Sequence, residues 1–173
     1  MPASLALLTT LASFDAAGSA AQAPLDACAL LTPTEVGATL GATATSRPSE
    51  MIIPSGPAKG QTLRLCTWSD QQGGMITVAA IRITPGSTTS GLAILEQALA
   101  TLKASGWTEE SKDFAGGKCL VMTPPASLTE APVSTGCFAE AKGMGVSVGS
   151  MGKTRVPMEK VKPLLDKLIQ RLP

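Results

Sequence analysis

Residues 62–84 read TLRLCTWSDQQGGMITVAAIRIT. From Thr62 to Ser69 the residues alternate, with Leu63, Leu65 and Thr67 on one side of an extended backbone and Arg64, Cys66 and Trp68 on the other. Asp70-Gln-Gln-Gly-Gly74 has the composition of a turn, and the β-branched run 75–84 continues as a second strand. Two strands joined by a short Gly-ended turn make a hairpin, so the fold starts from an antiparallel pair.

Upstream, residues 28–41 read CALLTPTEVGATLG. Thr32 before Pro33, with Glu35 three residues after Thr32, is a capping-box helix start, and Gly41 is a stop. Val36 and Leu40, one helical turn apart, face inward. Residues 42–48 are a weak strand, and 51–60 (MIIPSGPAKG) form a Pro/Gly-punctuated loop. Downstream, Leu92, Leu95, Leu99 and Leu102 recur at helical spacing within 90–105, closed by Gly106. Trp107 follows, then a turn at 114–117. Strands are predicted at 118–123, 133–141 and 144–150, as a meander that sets Cys119 beside Cys137. Residues 156–172 carry a Val161, Leu164, Leu165, Leu168, Ile169, Leu172 stripe, a closing helix in which Pro163 predicts a kink or a later start near Lys162. The order α-β-β-α-β-β-β-α argues for an α+β fold, a single domain over 24–173 with an antiparallel β-sheet flanked by helices.

Composition narrows the function classes. Over 173 residues, 14 basic side chains balance 13 acidic ones and aromatics are 3%. No basic stripe interleaved with aromatics exists, so nucleic acid is not an expected partner. The chain has no His and no Tyr, which removes the commonest general base and the imidazole partner of Ser and Cys nucleophiles. No catalytic, cofactor-binding or metal-ligating residue is therefore expected; an enzyme here would have to work through carboxylates, Lys or backbone amides.

Residues 1–23 (MPASLALLTTLASFDAAGSAAQA) read as a signal peptide, with a short apolar run from Leu5 and small-x-small cleavage signals ending at Ala21 or Ala23. The run is too short to be a transmembrane span. Cys28, Cys66, Cys119 and Cys137 contain no C-x-x-C pair, and four spread cysteines in a small exported domain argue for two disulfides. Three pairings satisfy that count. Leu25-Asp-Ala-Cys28 is a faint lipoprotein box, leaving a tether at Cys28 as an alternative.

Other motifs resolve into structure. Gly143-Met-Gly-Val-Ser-Val-Gly149 leads through a strand and opens no helix, so it reads as a glycine-rich edge strand and no phosphate loop. The spaced methionines share no common face and read as core filling. Glu109, Glu110 and Asp113 read as a solvated face, and Trp68 and Trp107 as buried anchors.

The opening Cys28-Ala-Leu-Leu-Thr, the short helix ending in Gly41 and the later Cys66-Thr-Trp68 resemble a family of small exported bacterial proteins and lipoproteins of unknown function with a PsbP-like fold, over residues 26–69. The resemblance implies an α/β/α sandwich, a Cys28–Cys66 bridge and no catalytic residues. The expected function is that of a non-catalytic exported protein, periplasmic or secreted, in binding or accessory work. The partner is a protein or a small apolar ligand. The alternatives are a membrane-tethered envelope lipoprotein and, third, a small-ligand-binding or carboxylate-based enzyme. Met51, Ile52 and Ile53 put apolar side chains on a loop rimmed by polar residues, which marks them as the candidate interface; folding back onto the sheet as a core flap is the competing reading.

Overall fold

The computed structural model describes residues 25–54, 58–83, 91–128, 130–152 and 155–173. The predicted signal peptide, 1–23, lies outside the described residues. A 3-10 turn at Ala27–Leu30 precedes helix α1 (Pro33–Leu40). Three strands follow: β1 (Thr45–Ile52), β2 (Thr62–Ser69) and β3 (Met75–Arg82). Helix α2 (Gly91–Ala104) leads to β4 (Thr108–Phe114), β5 (Gly117–Thr123), β6 (Val133–Ala141) and β7 (Met144–Gly152), and α3 (Met158–Arg171) closes the chain. The seven strands form one antiparallel sheet in the order β1-β2-β3-β7-β6-β5-β4. The fold is α+β in a single domain.

The sheet has two unequal faces. On the closed face, the 3-10 turn, α1 and α3 pack on Cys66, Trp68, Ile76, Val78, Cys137, Val146 and Val148 in one continuous core. The α3 stripe of Val161, Leu164, Leu165 and Leu168 is buried there, each side chain stabilising by about 2 kcal/mol relative to exposure. On the opposite face, which we term the open face, α2 sets Leu95 and Leu99 against Leu120, Met122, Trp107 and Phe138.

Local chemistry accounts for the helices. Thr32 Oγ1 accepts from Glu35 N–H (3.3 Å) and Glu35 Oε2 accepts from Thr32 N–H (2.9 Å), while Gly41 takes the left-handed conformation at φ 80°. Pro163 sits inside α3 without delaying its start. The bond that proline removes would have gone to the carbonyl of Glu159. Glu159 and Pro163 are both exposed, so that carbonyl can accept from water instead.

Three further expectations need correction. Residues 51 and 52 belong to β1, so the expected loop begins only after Ile52. A strand, β4, occupies 108–114 where only a turn at 114–117 was expected. These strands are the two sheet edges, β1 exposed along its whole length and β4 along most of it; with almost no buried side, they carry no apolar alternation to read. The glycine-rich segment is β7, which lies between β3 and β6 in the interior of the sheet and not at an edge. A small correction concerns α2, where Leu102 is exposed instead of completing the stripe.

Cys28 is bonded to Cys66 and Cys119 to Cys137, with Cα–Cα separations of 5.0 and 4.0 Å. The first ties the 3-10 turn to β2. The second joins directly opposed residues of β5 and β6. A polar clasp joins α1 to α3: Arg171 donates to both carboxylate oxygens of Glu35 (2.7 and 2.8 Å) and to Leu30 O (3.0 Å), with Lys167 3.2 Å from Glu35. The Arg171 guanidinium, aided by Thr32 and Lys167, holds the Glu35 carboxyl well below the usual carboxylate range against the opposing effect of burial.

Candidate functional site

Met51, Ile52 and Ile53 do not form one patch. Met51 lies across the ladder from Leu63 and Ile52 from Thr62, so successive side chains go to opposite faces. Met51 and Ile53 join the open face, while Ile52 projects from the closed side of the edge strand and is 68% exposed. Ile53 extends the hairpin past β1: its N–H donates to Gln61 O (3.0 Å) and its carbonyl accepts from Gly60 N–H (2.9 Å). It is half-buried.

Ile53 lines an apolar groove of about 150 Å³ on the open face, together with Leu63, Ala79, Ile81, Leu92 and Phe138. Each arrives by a local cause. Leu63 is an odd-numbered residue of β2, and Ala79 and Ile81 are their counterparts on β3, opposite in pleat to buried Cys66, Val78 and Ala80. Phe138 turns its ring over Gly136, where a Cβ would come within 2.9 Å of the ring. Glu140, two residues further along β6, accepts from Leu92 N–H (3.2 Å) and so pins the first turn of α2 beside the groove.

Among the described residues, none that lines the groove is ionisable. Apart from the Ser147 hydroxyl its side chains are apolar, and its chemistry is exclusion of water from apolar surface. Glu109, Glu110 and Asp113 lie away from it, on β4, each with a cation: Lys103 for Glu109, Arg155 for Glu110 (2.9 Å) and Lys118 for Asp113 (3.9 Å). Lys103 holds the Glu109 carboxyl below its ordinary value. Trp68 is buried in the closed-face core and Trp107 is half-buried against α2. Among the described residues no three His, Cys, Asp or Glu side chains are grouped to hold a metal ion, and no helix is long and apolar enough to cross a membrane.

Sequence reasoning reached Ile53 and Met51 but missed Leu63, Ala79, Ile81, Leu92 and Phe138 as site residues. The β2 alternation had already set Leu63 apart from Cys66, and the small Gly136 two residues before Phe138 is the other local sign of a ring lying flat on a strand.

No protein-family model matches the chain, and no curated protein sequence matches it. Its fold is similar to that of the extracellular domain of PknH from Mycobacterium tuberculosis, with a TM-score of 0.60 over 83% of this chain and 92% of that one, at 13% identity. The two disulfides and this fold fit an exported protein.

Proposed function

We propose that the chain is a non-catalytic binding or accessory protein, periplasmic or secreted, that docks a protein partner on the open face of its sheet. The observation that carries this reading is the groove bounded by Ile53, Leu63, Ile81, Leu92 and Phe138, continued toward the sheet edge by exposed Met51. At about 150 Å³ the groove is smaller than the roughly 300 Å³ at which pockets for small organic ligands begin. It is the size for one or two apolar side chains of a partner, the usual anchoring unit of an interface.

Several features support export. PknH's matching domain is extracellular, and paired cysteines belong to oxidising compartments. The resemblance of residues 26–69 to small exported bacterial proteins of PsbP-like fold points the same way, and a Cys28–Cys66 bond is what it implies. That bond also occupies the sulfur a lipid anchor would need, which favours an untethered protein. The absence of His from the sequence supports a non-catalytic role.

The test is site-specific photo-cross-linking in the cells that export the protein. A cross-linker at Ile53 or Leu63 is expected to give a discrete higher-mass adduct, and one at Ile52, on the other face of the same edge, is not. Equal yields from both faces, or none from the open face, would reject the docking surface.

A further inference from the structure

A second, polar basin of about 320 Å³ opens on the closed-face side, where the end of α1, the β2–β3 turn, the end of β7 and the start of α3 converge. Leu40, Asp70, Ser150, Arg155, Val156 and Lys160 are among the residues that line it. Its walls carry opposite charges. Asp70 is fixed on one side by its turn, Oδ1 accepting from Gln72 N–H (2.8 Å) and Gly74 N–H (2.7 Å). On the other side, Lys160 stands in the first turn of α3 and Arg155 just ahead of it, at the helix end where the macrodipole is positive and no side chain caps the amides.

Among the described residues, Asp70 and Lys160 have no ion-pair partner, although they face the same space. Arg155 uses Nη2 on Glu110 (2.9 Å). Ser150, in the lining, is only 4% exposed. Directly across the ladder, Thr135 is 2% exposed and among the described residues its Oγ1 has no partner. Ser150 adds a hydroxyl to the charged lining, a group with which a polar ligand can pair.

We propose that this basin binds a small zwitterion of the α-amino-acid class. The carboxylate lies toward Lys160, Arg155 and the Ser150 hydroxyl, the ammonium toward Asp70, and the side chain along Leu40 and Val156. Opposite charges held apart across one space select a ligand that carries both. A plain anion meets Asp70 uncompensated, and a plain amine meets Lys160 in the same way. This site is separate from the open-face groove.

The experiment uses the oxidised full chain. Free L-amino acids at millimolar concentration are screened by thermal shift, and the best binder is titrated calorimetrically beside its decarboxylated amine and its deaminated acid. At least one amino acid is expected to raise the melting temperature and to bind tenfold or more tightly than either analogue. Lys160→Gln and Asp70→Asn are each expected to weaken it about tenfold, and Ser150→Ala about fivefold. Asp70→Asn keeps the Oδ1 acceptor for the two turn amides, so the unliganded chain should melt as the wild type does. Leu63→Ser, on the open face, should leave binding unchanged. No binding by any amino acid, equal binding by the deaminated acid, or indifference to all three basin substitutions would overturn the proposal.

Discussion

β3 and β5 are both apolar strands, MITVAAIR and GKCLVMT, yet they are buried differently. In β5 four successive residues, Cys119, Leu120, Val121 and Met122, are buried, because α3 covers one face and α2 the other. In β3 burial alternates: Ile76, Val78 and Ala80 are covered, and Thr77, Ala79 and Ile81 stay half-exposed. Among the described residues, the half of the sheet built from β5, β6 and β7 is a three-layer structure, whereas β1, β2 and β3 have a two-layer one. Coverage, more than composition, separates a strand that only stabilises from a strand that also presents a surface, and the apolar groove lies at the boundary between the two halves.

The largest effects should follow from the disulfides, one in each half. Replacing Cys28 and Cys66 by Ala opens a loop of separation 38 and should cost about 4 kcal/mol, against about 3 kcal/mol for Cys119 and Cys137 at separation 18. Urea unfolding of the two double variants measures the pair. Hydrogen exchange sharpens it: loss of Cys28–Cys66 should speed exchange in the 3-10 turn and β2, while loss of Cys119–Cys137 should leave β5 and β6 paired and slow. Fast exchange spread over both halves in either variant would mean the halves are not separate units of stability.

Core truncation comes next. Leu120→Ala, in the covered half, is expected to lose about 3 kcal/mol, and Ile81→Ala, on the open face, about 1 kcal/mol or less. Comparable losses at the two positions, by the same urea measurement, would show that the open face is as tightly packed as the covered one.

The Glu35–Arg171 clasp should contribute less. Glu35→Gln is expected to cost about 1–2 kcal/mol at neutral pH. Because the folded carboxyl titrates below its unfolded value, its stabilisation is complete above the unfolded carboxylate range near pH 4.5 and is lost as pH falls toward the folded value. Stability of the wild type measured from pH 7 to pH 3 should fall faster than that of the variant. Parallel curves would remove the clasp from the account. Smallest of all, Ile52→Ser should change stability by less than about 0.5 kcal/mol, since that side chain is mostly in water; a melting temperature several degrees lower would reinstate Ile52 as a core residue.

What could be read in the sequence follows the same division. The capping box at Thr32 and Glu35, the Gly41 stop, the β2–β3 hairpin and the α3 stripe were legible because each is a local signal with one buried side. β4 and the second half of β1 were not, because an edge strand that buries little has no pattern to show. The groove escaped for another reason. Ile53, Ile81, Leu92 and Phe138 are distant in sequence and meet only through the β3-β7-β6 order and the placement of α2. Ile53 was the exception because the Pro/Gly residues around it marked it locally. The polar basin is of the same kind, drawn from four separate elements.

That strand order has a kinetic consequence. β1 to β3 and β4 to β7 are two runs of neighbour-to-neighbour pairing, and only the β3–β7 seam joins residues about 70 positions apart. Each run can zip from its own turns, but the seam must wait for the long intervening segment to close on itself. The Glu35–Arg171 clasp spans the same divide, linking α1 to α3. Refolding should therefore be limited by formation of the seam. Weakening it with Val148→Ala should slow refolding, while Glu35→Gln, acting after the seam has formed, should mainly speed unfolding; stopped-flow refolding and unfolding of the two variants would separate the steps.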